Sequence, residues 1–143
     1  MGSPAKVKLY VFAVVLAALP VYFWALHDLT ELIPTQSSEQ WLSMVGITLV
    51  VWVSSMAVVR IPRTVTWMAV SDCLTLSITM IYGVSAGVIA HGPSCVVSYW
   101  AIHRKMREHR GQKIRWRSDQ AAFNFAVGGI DALLYGGVYY WVL

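Results

Sequence analysis

Apolar residues form long runs along this chain, and the polar and charged residues are gathered into short segments between them. A helix that crosses a bilayer needs about 20 mostly apolar residues, and five runs reach or approach that length. The sequence therefore predicts an all-α, polytopic membrane bundle of about five transmembrane helices, with residues 1–143 as a single domain. The predicted spans are residues 9–26, 41–59, 65–82, 84–102 and 119–143.

The polar segments between the runs carry signals for helix ends. Residues 27–40 are polar and acidic, and we expect a loop outside the bilayer there. Within this segment Ser37 is followed three residues later by Gln40, which is the spacing of a capping box at a helix start. Arg60-Ile61-Pro62-Arg63 is predicted to form a basic turn before the third span, because proline does not continue a helix easily. Tyr82-Gly83 is predicted to form the turn before the fourth span.

Composition supports a membrane protein. The chain is 57% hydrophobic and only 13% charged, whereas a soluble domain carries about 25% charged residues. The net charge of +4 comes from basic residues at the ends of apolar segments, so we do not expect a nucleic acid partner. Cys73 and Cys95 both lie in apolar segments and are expected to be buried free thiols. No metal-type cysteine spacing is present.

The basic residues give the chain an orientation, because cytoplasmic loops of membrane proteins are enriched in Lys and Arg. With the N-terminus in the cytoplasm, all eleven Lys and Arg residues fall on the inner side and the acidic segment 27–40 falls outside. The longest basic run is residues 103–117. We therefore predict a multi-pass membrane protein with its N-terminus in the cytoplasm and the lipid bilayer as its first partner.

Three titratable residues lie inside predicted spans, namely Asp72, His91 and Asp131. A helix rises ~1.5 Å per residue, so each of them lies ~12–18 Å from the outer end of its span, near the middle of the bilayer. An ionisable group at that depth costs at least ~2.5–3.5 kcal/mol and usually faces other helices. We expect the three to form one polar cluster between the third, fourth and fifth spans. The polar residues expected around it are Ser71, Thr75, Ser94 and Asn124.

Such a cluster is compatible with ligand binding and with packing. It is able to bind a cation, relay a proton or hydrogen-bond the polar head of a small ligand. Alternatively, each acid is neutral or hydrogen-bonded to a neighbouring helix and only fixes the packing. The identity of any metal ion stays open. The sequence holds no nucleophile–base pair and no nucleotide or structural-zinc motif, so we expect no catalytic residue, no cofactor and no enzymatic activity.

Small residues recur at every fourth position in two places. Gly83 and Gly87 lie at the start of the fourth span, and Gly128, Ala132 and Gly136 lie in the fifth. This spacing lets helices approach closely in lipid. We expect these contacts within one chain, with a homodimer as the alternative.

A resemblance to known families rests on four pieces of the sequence: Arg60-Ile61-Pro62-Arg63, Tyr82-Gly83-Val84-Ser85-Ala86-Gly87, Phe123-Asn124-Phe125-Ala126 and Leu134-Tyr135-Gly136-Gly137. In this order they resemble the N-terminal membrane sensor modules found upstream of bacterial GGDEF or HD-GYP domains, which act in cyclic di-GMP signalling. The helical order also resembles the substrate-binding subunits of energy-coupling-factor vitamin transporters, which have six spans. The chain departs from both, because it has neither a clear sixth span nor an output domain. We expect an excised input domain or a stand-alone relative.

The first resemblance implies a sensory or ligand-binding domain of a bacterial signalling protein. Such a domain binds a small molecule, lipid or ion between its helices and passes a conformational or oligomeric change to a signalling output domain. The second resemblance implies the alternative function, the substrate-binding subunit of a membrane transporter, vitamin-type or proton-coupled, with another transporter subunit as its partner.

Overall fold

The computed structural model describes residues 4–60, 67–69, 71–110 and 117–143. Within these residues the chain is helical apart from two short strands, which confirms the expected helical class and its five helices. The helices are α1 (Pro4–Leu32), α2 (Ser38–Ser54), α3 (Ser71–Tyr82), α4 (Val84–Arg110) and α5 (Ser118–Val142). A single 3-10 turn, Ile33–Thr35, follows α1, and the strands are β1 (Val58–Arg60) and β2 (Trp67–Ala69).

Two helices in the described part of the chain are long and apolar enough to cross a membrane. One comprises Ala5–Thr35, which is α1 with the turn that follows it, and the other is α5. The helices α2, of 17 residues, and α3, of 12 residues, are ~26 and ~18 Å long at 1.5 Å per residue. Neither covers the ~30 Å of hydrocarbon in a bilayer by itself. The helical parts of the predicted spans 41–59 and 65–82 are therefore shorter than predicted, because residues 58–60 and 67–69 form strands. That these two segments cross a membrane stays a prediction.

The reason for the short helices is a pair of strands that the sequence did not predict. Val58, Val59 and Arg60 pair in antiparallel register with Ala69, Met68 and Trp67. The β-branched pair Val58-Val59 favours an extended backbone over a helix. As a result α2 ends at Ser54, and α3 begins only at Ser71. The predicted basic turn, residues 60–63, lies largely outside the described residues.

Two local predictions at helix ends are confirmed. The Ser37 side chain accepts a hydrogen bond from the Gln40 backbone N–H at 3.3 Å, and the Gln40 side chain accepts one from the Ser37 N–H at 3.0 Å. The turn between α3 and α4 lies at Gly83, whose φ of 94° is a conformation that favours glycine. A third prediction is wrong, because residues 27–32 continue α1 instead of forming a loop. There the Asp28 carboxylate accepts a hydrogen bond from the Ser85 hydroxyl.

The helix α4 lies at the centre and packs against all four other helices. Close contacts at glycines fix the register of its two antiparallel neighbours. A Cβ added to Gly136 of α5 would lie 2.8 Å from Thr79 of α3 and 3.0 Å from Val84 of α4. One added to Gly128 would lie 3.2 Å from the Cα of Gly92. Side chains at these positions would push the helices apart, so α5 packs on α4 through its small residues.

Large apolar side chains cover much of the outer surface, and several hydroxyl groups lie in the otherwise apolar core. Leu42, Val53 and Leu9 are 75%, 66% and 68% exposed. Thr75 and Ser94, by contrast, are almost completely buried. Single exposed apolar residues are ordinary, but an outer surface covered with them, above a core containing hydroxyls, is a feature that calls for an explanation.

Candidate functional site

Five residues from five helices meet at one level of the bundle, and we call them the central layer: Tyr22, Trp52, Thr75, His91 and Gly129. The Trp52 indole N–H donates to the Ala90 carbonyl at 3.1 Å. The Tyr22 ring lies against both Gly92 and Gly129, where a Cβ would clash with it. Because α3 runs antiparallel to α4 and Thr79 contacts Gly87, one turn further along each helix brings Thr75 level with His91.

His91 is buried in this layer with few strong partners. It is 8% exposed. Its Nδ1 lies 3.4 Å from the Ser94 hydroxyl, and its Nε2 lies 3.8 Å from the Cys95 sulfur. The Ser94 hydroxyl also lies 2.7 Å from the His91 carbonyl oxygen and donates to it. Both contacts of the ring are longer than the ~2.7–3.2 Å of a strong hydrogen bond. The imidazole therefore keeps unused capacity to donate and accept.

Two buried hydroxyls are also left without good partners. The Tyr135 ring packs edge-on to His91, with 6.1 Å between ring centroids. Its hydroxyl is buried beside Thr79, yet no group in the described residues makes a hydrogen bond of normal geometry with it. The buried Ser71 hydroxyl, one turn from Thr75 on the same face of α3, is equally unpartnered within those ranges. A buried polar group without a partner costs about 1–3 kcal/mol, so the Tyr135 hydroxyl beside His91 indicates a place for a ligand, a water molecule or a proton. Ser71 is eight residues from Thr79 on α3, ~12 Å along the helix, and is a separate case.

The structure separates the three titratable residues that the sequence grouped together. His91 faces the interior with Thr75 and Ser94, whereas Asp72 and Asp131 are exposed. From the register of the helices, the three still lie within ~8 Å of one another along the bundle axis. Neither carboxylate has a hydrogen-bond or ion-pair partner in the described ranges. The charges of both acids still act on His91, but the two carboxylates lie on outward faces of their helices and make no hydrogen bond with the imidazole among the described residues.

The two carboxylates have different surroundings. Asp72 lies in the first turn of α3, where unpaired backbone N–H groups favour a negative charge. This placement was not predicted, because the predicted third span begins at residue 65 and the helix begins at Ser71. Asp131 lies in the middle of α5, on a face shared with Leu134 and Val138, which are 60% and 61% exposed. Asp131 therefore lies on the outer surface of the bundle.

The remaining predicted residues have mixed placements. Asn124 is half-buried in α5 but lies five residues from Gly129, ~8 Å away along the axis and outside the central layer. Gly87, Gly128, Ala132 and Gly136 are buried between helices of the same chain, whereas a side chain at Gly83 would meet only open space. Cys95 is half-buried and Cys73 is exposed. The prediction of a buried Cys73 is therefore wrong.

Three aromatic residues of the site were not predicted from the sequence: Tyr22, Trp52 and Tyr135. Each lies inside a predicted span and has a polar tip that needs a partner when it is buried. That combination was the available signal. The Tyr22 hydroxyl donates to the Phe125 carbonyl at 2.8 Å, and the two rings stack with centroids 4.4 Å apart.

Positive side chains mark one end of the bundle, which we call the basic end: Lys8, Lys105 and Arg117. Lys105 donates to the Val58 carbonyl at 2.7 Å and so attaches β1 to α4. Nearby, partial burial and the charge of Arg107 lower the pKa of His103. In the part of the chain that the structure describes, no three His, Cys, Asp or Glu side chains are placed to hold a metal ion.

Comparisons with known proteins add no relative. No family model matches the chain, and neither a curated protein nor a solved structure is similar to it. The resemblances to cyclic di-GMP sensor modules and to vitamin transporter subunits therefore stay predictions. What the fold and the site define is a helical protein with two candidate membrane-spanning helices and a polar layer in its core.

Proposed function

We propose that this chain is a multi-pass sensory or ligand-binding domain of the bacterial inner membrane, with its N-terminus in the cytoplasm. The apolar outer surface supports the membrane placement. The basic end supports the orientation, since Lys8, Lys105 and Arg117 then lie on the cytoplasmic side. Asp28, at the other end of α1, then lies on the outer side with its Ser85 partner.

The short helices α2 and α3 fit this placement if the strands complete the crossing at the cytoplasmic surface. Open strand edges are not found in contact with lipid hydrocarbon. Lys105, which bonds β1, is fourteen residues beyond His91 on α4, or ~21 Å along the axis. Half of the hydrocarbon core is ~15 Å thick, so a central layer at the midplane brings the strands to headgroup level.

The observation that carries the proposed function is the buried His91, whose ring makes only long contacts, beside the unpartnered Tyr135 hydroxyl. An ionisable residue within a membrane domain is a functional-site hypothesis by default, because it is costly to keep there. A small polar molecule or an ion between α3, α4 and α5 would satisfy the imidazole and the hydroxyl of Tyr135.

The packing around His91 provides a route from binding to response. The segment Ala90–Gly92 holds Trp52 of α2 by a hydrogen bond and Tyr22 of α1 by close contact. A ligand that prefers one position of this segment would shift α1 and α2 together, in proportion to its difference in affinity for the two states. A second copy of the chain or a signalling partner would respond to that shift of α1 and α2.

The test is native mass spectrometry of the detergent-purified chain and of the variant His91→Ala. His103→Ala is the matched control, because His103 lies on the same helix near the basic end. We expect a bound small molecule or ion in the parent and in the control, and its loss in His91→Ala. The same bound mass other than phospholipid in all three proteins, or no such mass in any of them, would overturn the assignment of His91.

A further inference from the structure

A second feature of the molecule is an apolar groove between α1 and α5. It consists of two adjoining hollows that share Val15 and Ala122. The deeper one has a volume of about 290 Å³ and ends at the stacked rings of Tyr22 and Phe125. The wider one has a volume of about 570 Å³ and opens at Lys8 and Arg117. The remaining lining residues that matter here are Val11, Phe12, Ala18, Leu19 and Ala126.

The length of the groove matches one leaflet of a bilayer. Lys8 and Tyr22 are fourteen residues apart on α1, which is ~21 Å of helix. A bilayer is ~40–45 Å thick including its headgroups, so one leaflet is ~20–22 Å thick. A groove that begins at the basic end and ends at the central layer therefore extends from the cytoplasmic headgroups to the midplane.

The groove is apolar at its deep end and carries basic residues at its mouth. It therefore complements a lipid that has an apolar tail and an anionic headgroup. Its deep part is lined almost wholly by carbon, from Val15 to Phe125. At its mouth Lys8 is exposed, and it has no hydrogen-bond or ion-pair partner in the described part of the chain. Arg117 also lies there, paired with Asp119, which lines the mouth as well: the Arg117 Nε donates to one carboxylate oxygen at 3.1 Å and an Nη donates to the other at 2.5 Å. Asp119 holds the guanidinium at the rim, and among the described residues Lys8 is the unpaired positive charge of the mouth. Lysine and arginine at the membrane surface attract anionic headgroups, by about fivefold in binding per residue.

We propose that this groove binds one acyl chain of an anionic phospholipid of the cytoplasmic leaflet, with the lipid phosphate at Lys8 and Arg117. The proposal rests on the membrane placement argued above, but not on a ligand at His91. The end of the chain would contact Tyr22, which packs on Gly92 and Gly129. A bound lipid would therefore favour the position of Tyr22 in which its ring packs on Gly92 and Gly129.

The experiment measures phospholipid retained by the purified full chain. Protein in detergent is equilibrated with phosphatidylglycerol or phosphatidylcholine, washed, and analysed by native mass spectrometry. The blocking variant is Ala122→Trp, since Ala122 is exposed and lines both hollows. Its control is Leu134→Trp, which adds the same ring to the outer face of α5, away from the groove. Lys8→Gln is paired with Lys6→Gln, because Lys6 does not line either hollow.

We expect one phosphatidylglycerol per chain in the parent and in Leu134→Trp, and at least a tenfold loss in Ala122→Trp. Lys8→Gln should lower retention about fivefold, and Lys6→Gln much less. Equal retention in Ala122→Trp and the parent would overturn the groove. Equal retention of both phospholipids, or equal stabilisation by inorganic phosphate alone, would overturn the anionic lipid as ligand. His91→Ala should retain its phospholipid. A failure of the His91 proposal would therefore not affect the test of the groove.

Discussion

Replacing Gly129 by alanine tests whether Tyr22 packs in the central layer as described. A Cβ at this position would lie 2.6 Å from the Tyr22 Cζ and 2.7 Å from its Cε2. Real Cβ contacts are not that short, so the ring or α1 itself must move. The Tyr22 ring is held by its stack on Phe125 and by the 2.8 Å hydrogen bond to the Phe125 carbonyl. A displacement therefore disturbs both interactions.

The expected magnitude follows from two opposing effects. Overpacking of a tight contact costs about 1–3 kcal/mol. Alanine in place of glycine within a helix returns about 0.8–1.0 kcal/mol. Gly129→Ala should therefore be neutral to ~2 kcal/mol destabilising overall. Gly137→Ala on the same helix is the control, because a Cβ there meets nothing within 4 Å. The difference between the two variants isolates the clash with Tyr22.

The assay is unfolding in mixed micelles titrated with a denaturing detergent and followed by circular dichroism. We expect Gly129→Ala to be 1–3 kcal/mol less stable than Gly137→Ala, within the ~1–3 kcal/mol of overpacking. The comparison is then repeated with Tyr22→Ala in both proteins. Removing the ring should abolish the difference, since coupling in a double-mutant cycle reports direct contact. A Gly129→Ala protein as stable as the control, or a difference that survives Tyr22→Ala, would refute the packing of Tyr22 on Gly129.

Three further predictions use the same unfolding assay or a simple labelling measurement. Trp52→Phe should cost ~0.5–1.5 kcal/mol, because it removes one hydrogen bond between helices while keeping an aromatic ring; exposed Trp24→Phe should cost less, and the reverse order would contradict the bond to Ala90. Ser37→Ala should cost about 1 kcal/mol through loss of the capping box, and an unchanged unfolding midpoint would count against it. Cys73 should react with a maleimide in micelles before Cys95, because only Cys73 is exposed; faster labelling of Cys95, read by mass spectrometry of the digested protein, would contradict the placement of α3.

The helix cap and the turn between two helices could be predicted from the sequence. The capping box at Ser37 is a contact between near neighbours, so its spacing alone determines it. The turn at Gly83 follows from a glycine between two apolar segments, where a positive φ is tolerated. The strands could not be predicted in the same way. Whether Val58-Val59 continues α2 or pairs with a strand depends on residues 67–69 folding back onto it, which is a contact between distant residues.

The depth of a residue along the bundle axis and the direction in which its side chain points have different physical origins. This explains why the candidate site was predicted only in part. Depth follows from counting residues at ~1.5 Å each, so the common level of Asp72, His91 and Asp131 was accessible from the sequence. The face that a residue presents depends on which helices pack around it, and five helices leave many arrangements open. Here Gly128, Ala132 and Gly136 turn one side of α5 towards α4. Asp131 then lies on another side, because it directly precedes Ala132 and is therefore rotated by ~100° from the middle of this row of small residues.

That rotation has a consequence for Asp131 itself. In the proposed membrane placement, a carboxylate on an outward face at mid-depth costs at least ~2.5–3.5 kcal/mol against lipid, and an apolar side chain at position 131 avoids that cost. Asp131→Leu should therefore stabilise an isolated chain by roughly that amount, as measured by the same detergent titration. If the carboxyl instead hydrogen-bonds a second copy, the substitution should weaken self-association measured by crosslinking in membranes. A variant that changes neither stability nor association would mean that Asp131 lies at a water-accessible level, and the central layer would then lie nearer the surface than the midplane.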